Sequence, residues 1–398
     1  MALSPLGGLT SSARSGEIGS LVIRKPGALL APMIAAKIQT FMNSCRLVVT
    51  GLLLLSSHAR ADRLVLVAGG GAMEDGAPAT QTKLVAPFGV DFDAAANLYL
   101  VEMAGGERVR KMGRDGVLHI IAGTGTKGFA GDNGPGKTAQ FNGMHSLAVL
   151  PDGNMFLADT WNQRIRRLDA GNGMVSTFAG TGAKGFSGDG GPAKQAQFGG
   201  LYCASLDPRR ENLYLADLDN RRVRAVNLKT GLVRTVAGNG ERGVPKDGAK
   251  AVDSPLVDPR AVAADLDGNV YVVEREGHAL RVVAPDGSIK TVAGTGARGD
   301  SGDGGEARQA TLNGPKHLCI DPDGSVLIAD TENHVIRRFT PRDGRIARVA
   351  GSGRKGAGGV PGPALEAELN QPHEVAIGPG GLLFIVDSSN NRVLRLDK

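Results

Sequence analysis

Aromatic residues make up 4% of the chain, with one Trp, which argues against a few thick aromatic cores. Cysteine is scarce too: Cys45, Cys203 and Cys319 form no CxxC pair and no Cys/His spacing of a structural metal site. Long apolar runs are missing. The most apolar short stretch, Leu47–Leu55, is too brief to span a bilayer stably. Runs of basic residues are missing as well, although the formal net charge is +6. Lys and Arg recur singly, once or twice per repeat, as at Arg164, Arg166, Arg167, Arg222, Arg224, Arg337 and Arg338. That pattern reads as a solvated face with a modest preference for anionic partners, not as a nucleic-acid surface.

Glycine and proline are plentiful, at 59 and 20 residues, and hydrophobic content is an ordinary 41%. Short apolar strands punctuated by turns are the composition of an all-β fold. An Ala-Gly pair preceded by Val, Ile or Phe recurs at Ala68, Ala122, Ala179, Ala237, Ala293 and Ala350, at steps of 54 to 58 residues. Each pair is followed by a glycine-rich connector and then three strand-like runs. In the second unit these runs are His145–Leu150, Met155–Asp159 and Arg164–Leu168, with Val175–Ala179 as a fourth strand. Pro151-Asp152-Gly153 and Gly171-Asn172-Gly173 suit tight hairpins. Four antiparallel strands per repeat make one propeller blade, and six repeats make a six-bladed β-propeller. The last unit lacks a fourth strand and the first has a spare one, Arg63–Ala68. The N-terminal strand is therefore expected to complete the sixth blade, which removes the exposed edge of an open array. An open solenoid is the alternative, but no polar cap is visible.

Residues 1–61 show no repeat. Arg46, the apolar run and Ala59-Arg60-Ala61 have the layout of a signal peptide over 42–61, with translation starting at Met42 and cleavage before Asp62. The expected product is a propeller over 62–398, periplasmic or extracellular, with no stable membrane span after cleavage.

The segments Pro372–Ile377 (PHEVAI), Leu157–Ile165 (LADTWNQRI) and Val386–Val393 (VDSSNNRV) resemble NHL repeats. The connector Gly185–Ala193 (GFSGDGGPA) is similar to those of bacterial NHL propellers and of the teneurin propeller. The resemblance covers about 62–398 and implies the fold more than an activity. Glu102 and Glu274 depart from it, standing where the other blades have Asp.

In such a fold the long connectors and the loops between strands two and three share one mouth, where binding usually resides. Aligning the first position of each inner strand places Phe88, His145, Tyr202, Arg260, His317 and His373 around the channel. Two readings follow. The ring is a polar lining, or His145, His317 and His373 hold one zinc or similar divalent ion. In residue types the second resembles the propeller of peptidyl-hydroxyglycine amidating lyases. That resemblance implies a metal-dependent lyase or hydrolase with Tyr202 as base and Arg260 beside it. Propeller lactone hydrolases are a weaker option, because their acidic axial ligands are missing from this ring. Phe88 in the ring, with Phe129, Trp161 and Phe186 on the loops, are candidate binding residues for a protein, peptide or glycan. The leading expectation is an exported binding scaffold without nucleic-acid partners. A cytosolic RNA-binding module would require the leader reading to be false.

The acidic residues Glu102, Asp159, Asp217, Glu274, Asp330 and Asp387 are expected to accept backbone N–H groups at the end of strand two. The connector segments at Gly131–Gly134, Gly188–Gly191 and Gly302–Gly305 are expected to form turns, with calcium or phosphate binding as the lesser reading. Cys203 and Cys319 fall on inner strands of blades that are not neighbours and are expected to be free thiols.

Overall fold

The computed structural model describes residues 62–398, so the expected leader, 1–61, lies outside the described residues. Six antiparallel sheets follow one another along the chain. Their inner strands are Pro87–Phe92, Met144–Val149, Leu201–Leu206, Pro259–Ala264, His317–Ile320 and Pro372–Ile377. The hairpins form as the turn chemistry demands. Gly153 sits at φ +86°, a conformation only glycine adopts freely, and donates its N–H to the Leu150 carbonyl at 2.9 Å.

The sixth sheet is closed from both ends of the propeller. Arg63–Gly69 pairs antiparallel with Arg392–Asp397, from Arg63 opposite Asp397 to Gly69 opposite Arg392. Leu64 and Ala68 on this strand are fully buried. The ring also closes at the axis, where the Val90 N–H of blade one donates to Glu374 Oε1 of blade six at 2.9 Å. Closure therefore takes the expected form, and the open array is excluded. The connectors add one feature not foreseen. Ala77–Pro78, Gly134–Pro135, Ala249–Lys250 and Gly362–Pro363 each form a two-residue fifth strand on the outer edge of a blade. The core lies between blades. Val101 and Val109 of blade one, for example, interdigitate with Leu147, Leu157 and Leu168 of blade two.

The acidic residue closing strand two does what was expected in every blade. Asp159, Asp217, Asp330 and Asp387 accept the N–H groups of Asn142, Gly199, Asn313 and Asn370, each at 2.7 Å. Glu102 and Glu274 accept those of Val85 and Val257. Their second oxygens meet arginines that the sequence reading had placed in solvent. Arg166, Arg224 and Arg337 have fully buried side chains, which corrects that reading. Arg337 lies between Asp303 (2.9 Å) and Asp330 (3.5 Å) and donates to the carbonyls of Thr311 and Ser301. Arg110 and Arg281 pair in the same way with Glu102 and Glu274. Burial is possible because each guanidinium is paired with at least one carboxylate.

Asp132, Asp189 and Asp303 of the glycine-rich connectors supply the other half of these pairs. The connectors are thus turns tied to blade arginines. The loop that follows the acid completes the arrangement. Asn162, Asn220, Asn333 and Asn390 donate to the Asp three residues earlier. In the two Glu blades glycine takes the asparagine's place. A Cβ at Gly106 or Gly277 would fall 2.4 or 2.7 Å from the Glu Cβ. The longer acid occupies the space that the amide fills elsewhere.

Candidate functional site

Connectors and strand-two loops meet on one mouth, as expected. The Trp161 N–H donates to the Asn142 carbonyl at 3.0 Å, and Asn162 Nδ2 donates to that of Gly128 at 2.8 Å. Below them a row of side chains fills the channel. Arg260 lies over the Tyr202 ring with its guanidinium carbon 4.6 Å from the centroid. Tyr202 meets His145 edge-on at 4.6 Å, and His145 meets Phe88 at 5.2 Å. Phe88 stacks obliquely on His373 at 4.1 Å, and Lys316 Nζ lies 3.3 Å from His373 Nε2. Phe88, His145, Tyr202, Arg260 and His373 therefore come together as aligned.

His317 does not, and the pairing register shows why. It stands opposite Ala329, the residue before Asp330, just as Glu374 stands opposite Val386 and Cys203 opposite Ala216. The Lys316 N–H also donates to the Ala329 carbonyl, at 3.1 Å, so Lys316 takes the place that Phe88 and His373 hold at the bulges of blades one and six. Counting by equal steps slips one residue there. Lys316 is the member of the ring, and His317 belongs to the next level down the channel. A local signal was present: Pro315 precedes Lys316 as Pro87, Pro259 and Pro372 precede Phe88, Arg260 and His373.

The correction bears on the zinc reading. His373 Nδ1–H donates to the Gln371 carbonyl at 2.9 Å, which leaves Nε2 to face the Lys316 ammonium. His145 Nδ1 lies 2.8 Å from the Gly143 carbonyl and 3.0 Å from Thr160 Oγ1. His317 Nε2 faces Cys203 Sγ at 3.9 Å and Glu374 Oε2 at 3.6 Å. Among the described residues no three His, Cys, Asp or Glu side chains gather as ligands of one ion. The imidazoles lie on two levels with different partners and do not supply a three-histidine site.

Burial sets the charge state of the channel. It pushes His145 and His317 down to about 3, with Arg260 adding repulsion, so both rings are neutral. Burial, aided by Arg275, lowers Arg260 to about 10, which leaves it charged. The Cys203 thiol is raised to about 12 by burial and stays protonated. Cys203 and Cys319 are both free, as expected.

The loop aromatics are exposed and braced. Phe129 and Phe186 are 43% and 42% exposed, and Trp161 is 38% exposed. Arg164 sits 4.0 Å from the Phe129 centroid, Arg222 3.7 Å from that of Phe186, and Lys127 Nζ 5.0 Å from that of Trp161. A cation against a ring face holds it in place at little cost.

Known proteins share this organisation. Residues 194–301 match the teneurin NHL domain, and 312–339 and 369–396 match the NHL repeat. The chloroplastic protein SUPPRESSOR OF QUENCHING 1 of Arabidopsis thaliana is 27% identical over 70% of this chain and 27% of its own length. Human teneurin-1 is 28% identical over 67% of the chain and 10% of its own length. Bovine NHL repeat-containing protein 2 is 25% identical over 79% and 47%. The chain thus spans less than half the length of each of these relatives. Among solved structures, a protein of unknown function from Bacteroides thetaiotaomicron superposes with a TM-score of 0.62 at 16% identity, covering 84% of this chain and 76% of that one. An auxiliary nutrient binding protein from the same organism gives 0.61 at 16% identity, with the same shares covered. These two likenesses speak to the fold alone. With the motifs, the six closed sheets and these matches together, the chain is a six-bladed β-propeller of NHL repeats.

Proposed function

We propose that this chain is an exported binding scaffold that engages a protein, peptide or glycan through its connector-side mouth. The observation that carries the reading is the set of braced, exposed rings of Phe129, Trp161 and Phe186 on that face. A ring backed by a cation loses little freedom when a ligand stacks on it, so more of the contact energy remains for affinity. The filled channel beneath favours a ligand that lies across the mouth. Support for a binding role also comes from the nutrient-binding description of one propeller of the same fold. The leader pattern in 42–61 supports export.

The test is a panel of immobilised glycans and peptides probed with the intact chain and with a Phe129→Ser, Trp161→Ser, Phe186→Ser variant. Loss of binding by about tenfold or more, without loss of folded signal, is expected. Equal binding by intact and variant chains refutes the reading.

A further inference from the structure

The opposite end of the channel holds a separate cavity. Below the ring, the inner strands enclose a cup of about 300 Å³ that runs from His317 and Glu374 out to Pro208 and Arg210 on a hairpin of blade three. That volume is at the lower end of small-molecule sites. Small residues, among them Ala148, Ser205, Ala263 and Ala376, share its walls with larger aliphatic ones such as Leu147, Leu318 and Ile377. Two carboxyl groups stand among them, Asp91 of blade one and Glu374 of blade six.

Both carboxyls have a structural duty that leaves capacity over. Asp91 Oδ2 accepts the Val149 N–H of blade two at 2.7 Å, and Oδ1 accepts that of Phe92 at 2.8 Å. Each of these oxygens retains a lone pair. Glu374 Oε1 accepts the Val90 N–H. Glu374 Oε2 has no hydrogen-bond partner, although the residue is only 3% exposed. Closing blade six on blade one needs one acceptor oxygen, which an amide would also supply. Near the second oxygen stands the neutral His317, whose Nε2 at 3.6 Å is beyond hydrogen-bond reach, and a buried polar atom left unpaired is costly. Gly89 keeps the space beside it open, since a Cβ there would lie 3.2 Å from Oε2 and 2.9 Å from Leu147 Cδ2.

We propose that this cup binds a small organic molecule with a primary ammonium group, seated between Glu374 and Asp91. An ammonium offers three donors and a positive charge to two carboxyls in a desolvated site. The alanines and Ser205 accommodate a short aliphatic stem, and Arg210 faces the outer end of the ligand at the rim. Burial holds Glu374 well above the usual carboxylate range and raises Asp91 to about 6, so ammonium binding would draw a proton off Glu374. This site is independent of the connector-side face.

The experiment titrates the full chain with n-butylamine, n-butanol and butyrate by calorimetry, in two buffers of different ionisation enthalpy. Expected are one saturable site for the amine, a heat that differs between buffers because a proton is released, and no saturation with alcohol or acid. Glu374→Gln retains the closing acceptor and should weaken amine binding by about tenfold or more. Ser205→Leu fills the cup from another blade and should abolish binding, which keeps the test sound if Glu374→Gln folds poorly. Equal affinity for amine and alcohol, amine binding that survives Ser205→Leu, or no amine binding at all each overturns the proposal.

Discussion

Exchanging the acid pattern of blade four for that of blade five tests the local reasoning. Gly277→Asn alone introduces a Cβ 2.7 Å from Glu274 Cβ and 2.8 Å from Oε2. Overpacking of that kind costs about 1–3 kcal/mol. Glu274→Asp alone withdraws the carboxylate by one methylene from the Val257 N–H and from Arg281, whose Nη2 lies at 2.7 Å. A buried guanidinium and a buried N–H then lose their acceptor, at a cost of about 3 kcal/mol. The two changes together rebuild the arrangement of Asp330 and Asn333, in which the amide donates to the carboxylate at 2.8 Å. Each change relieves the fault of the other. The double variant should therefore be more stable than the sum of the single costs by about 2 kcal/mol or more. Urea unfolding followed by the fluorescence of Trp161, the single tryptophan, measures all four proteins. Costs that add within about 0.5 kcal/mol would show that acid and loop residue are not coupled, and the account of the two Glu blades would fall.

The N-terminal strand offers a second test. Leu64 is fully buried against blade six, so Leu64→Ala should cost about 2–5 kcal/mol in the same assay. A cost well under 1 kcal/mol would mean that the strand is not part of the closure. A third concerns acid. Burial holds His145 at about 3, well below the ordinary imidazole value of 6.5, so below about pH 6.5 the unfolded chain takes up a proton that the folded chain refuses. The stability linked to this residue is full above about pH 6.5 and falls by about 1.4 kcal/mol per pH unit as the pH drops toward 3. His145→Phe should narrow the difference in unfolding free energy between pH 7 and pH 5 by about 2 kcal/mol. Parallel pH dependence in variant and parent would refute the assignment.

Much of the architecture was legible because it is written locally. Hairpin glycines, the recurring Ala-Gly pair and the acid at the end of strand two act within a few residues of themselves, so their spacing reads directly. The spare strand at Arg63 and the missing one after blade six pointed to closure by counting alone. The buried arginines were misread for a general reason, since an arginine in a β-rich sequence is ordinarily on the surface. A signal existed: Arg166, Arg224, Arg281 and Arg337 each follow their acid by seven residues. With strands of five or six residues and short loops, that interval sets the two side by side on paired strands. The exchange of Asp with Asn for Glu with Gly was likewise present in the sequence, but its meaning depends on which atoms compete for one space.

The sequence by itself determined the repeat, the number of blades, the turn positions and the strand that joins the ends, because all of these follow from periodicity and turn chemistry. Only the tertiary structure decided which side chains share a level of the channel. That depends on which residue of each inner strand sits at the bulge; in blade five it is Lys316, which leaves His317 one level down with Glu374 and Cys203. That difference of one residue separates three imidazoles and leaves a carboxyl oxygen facing an open cup.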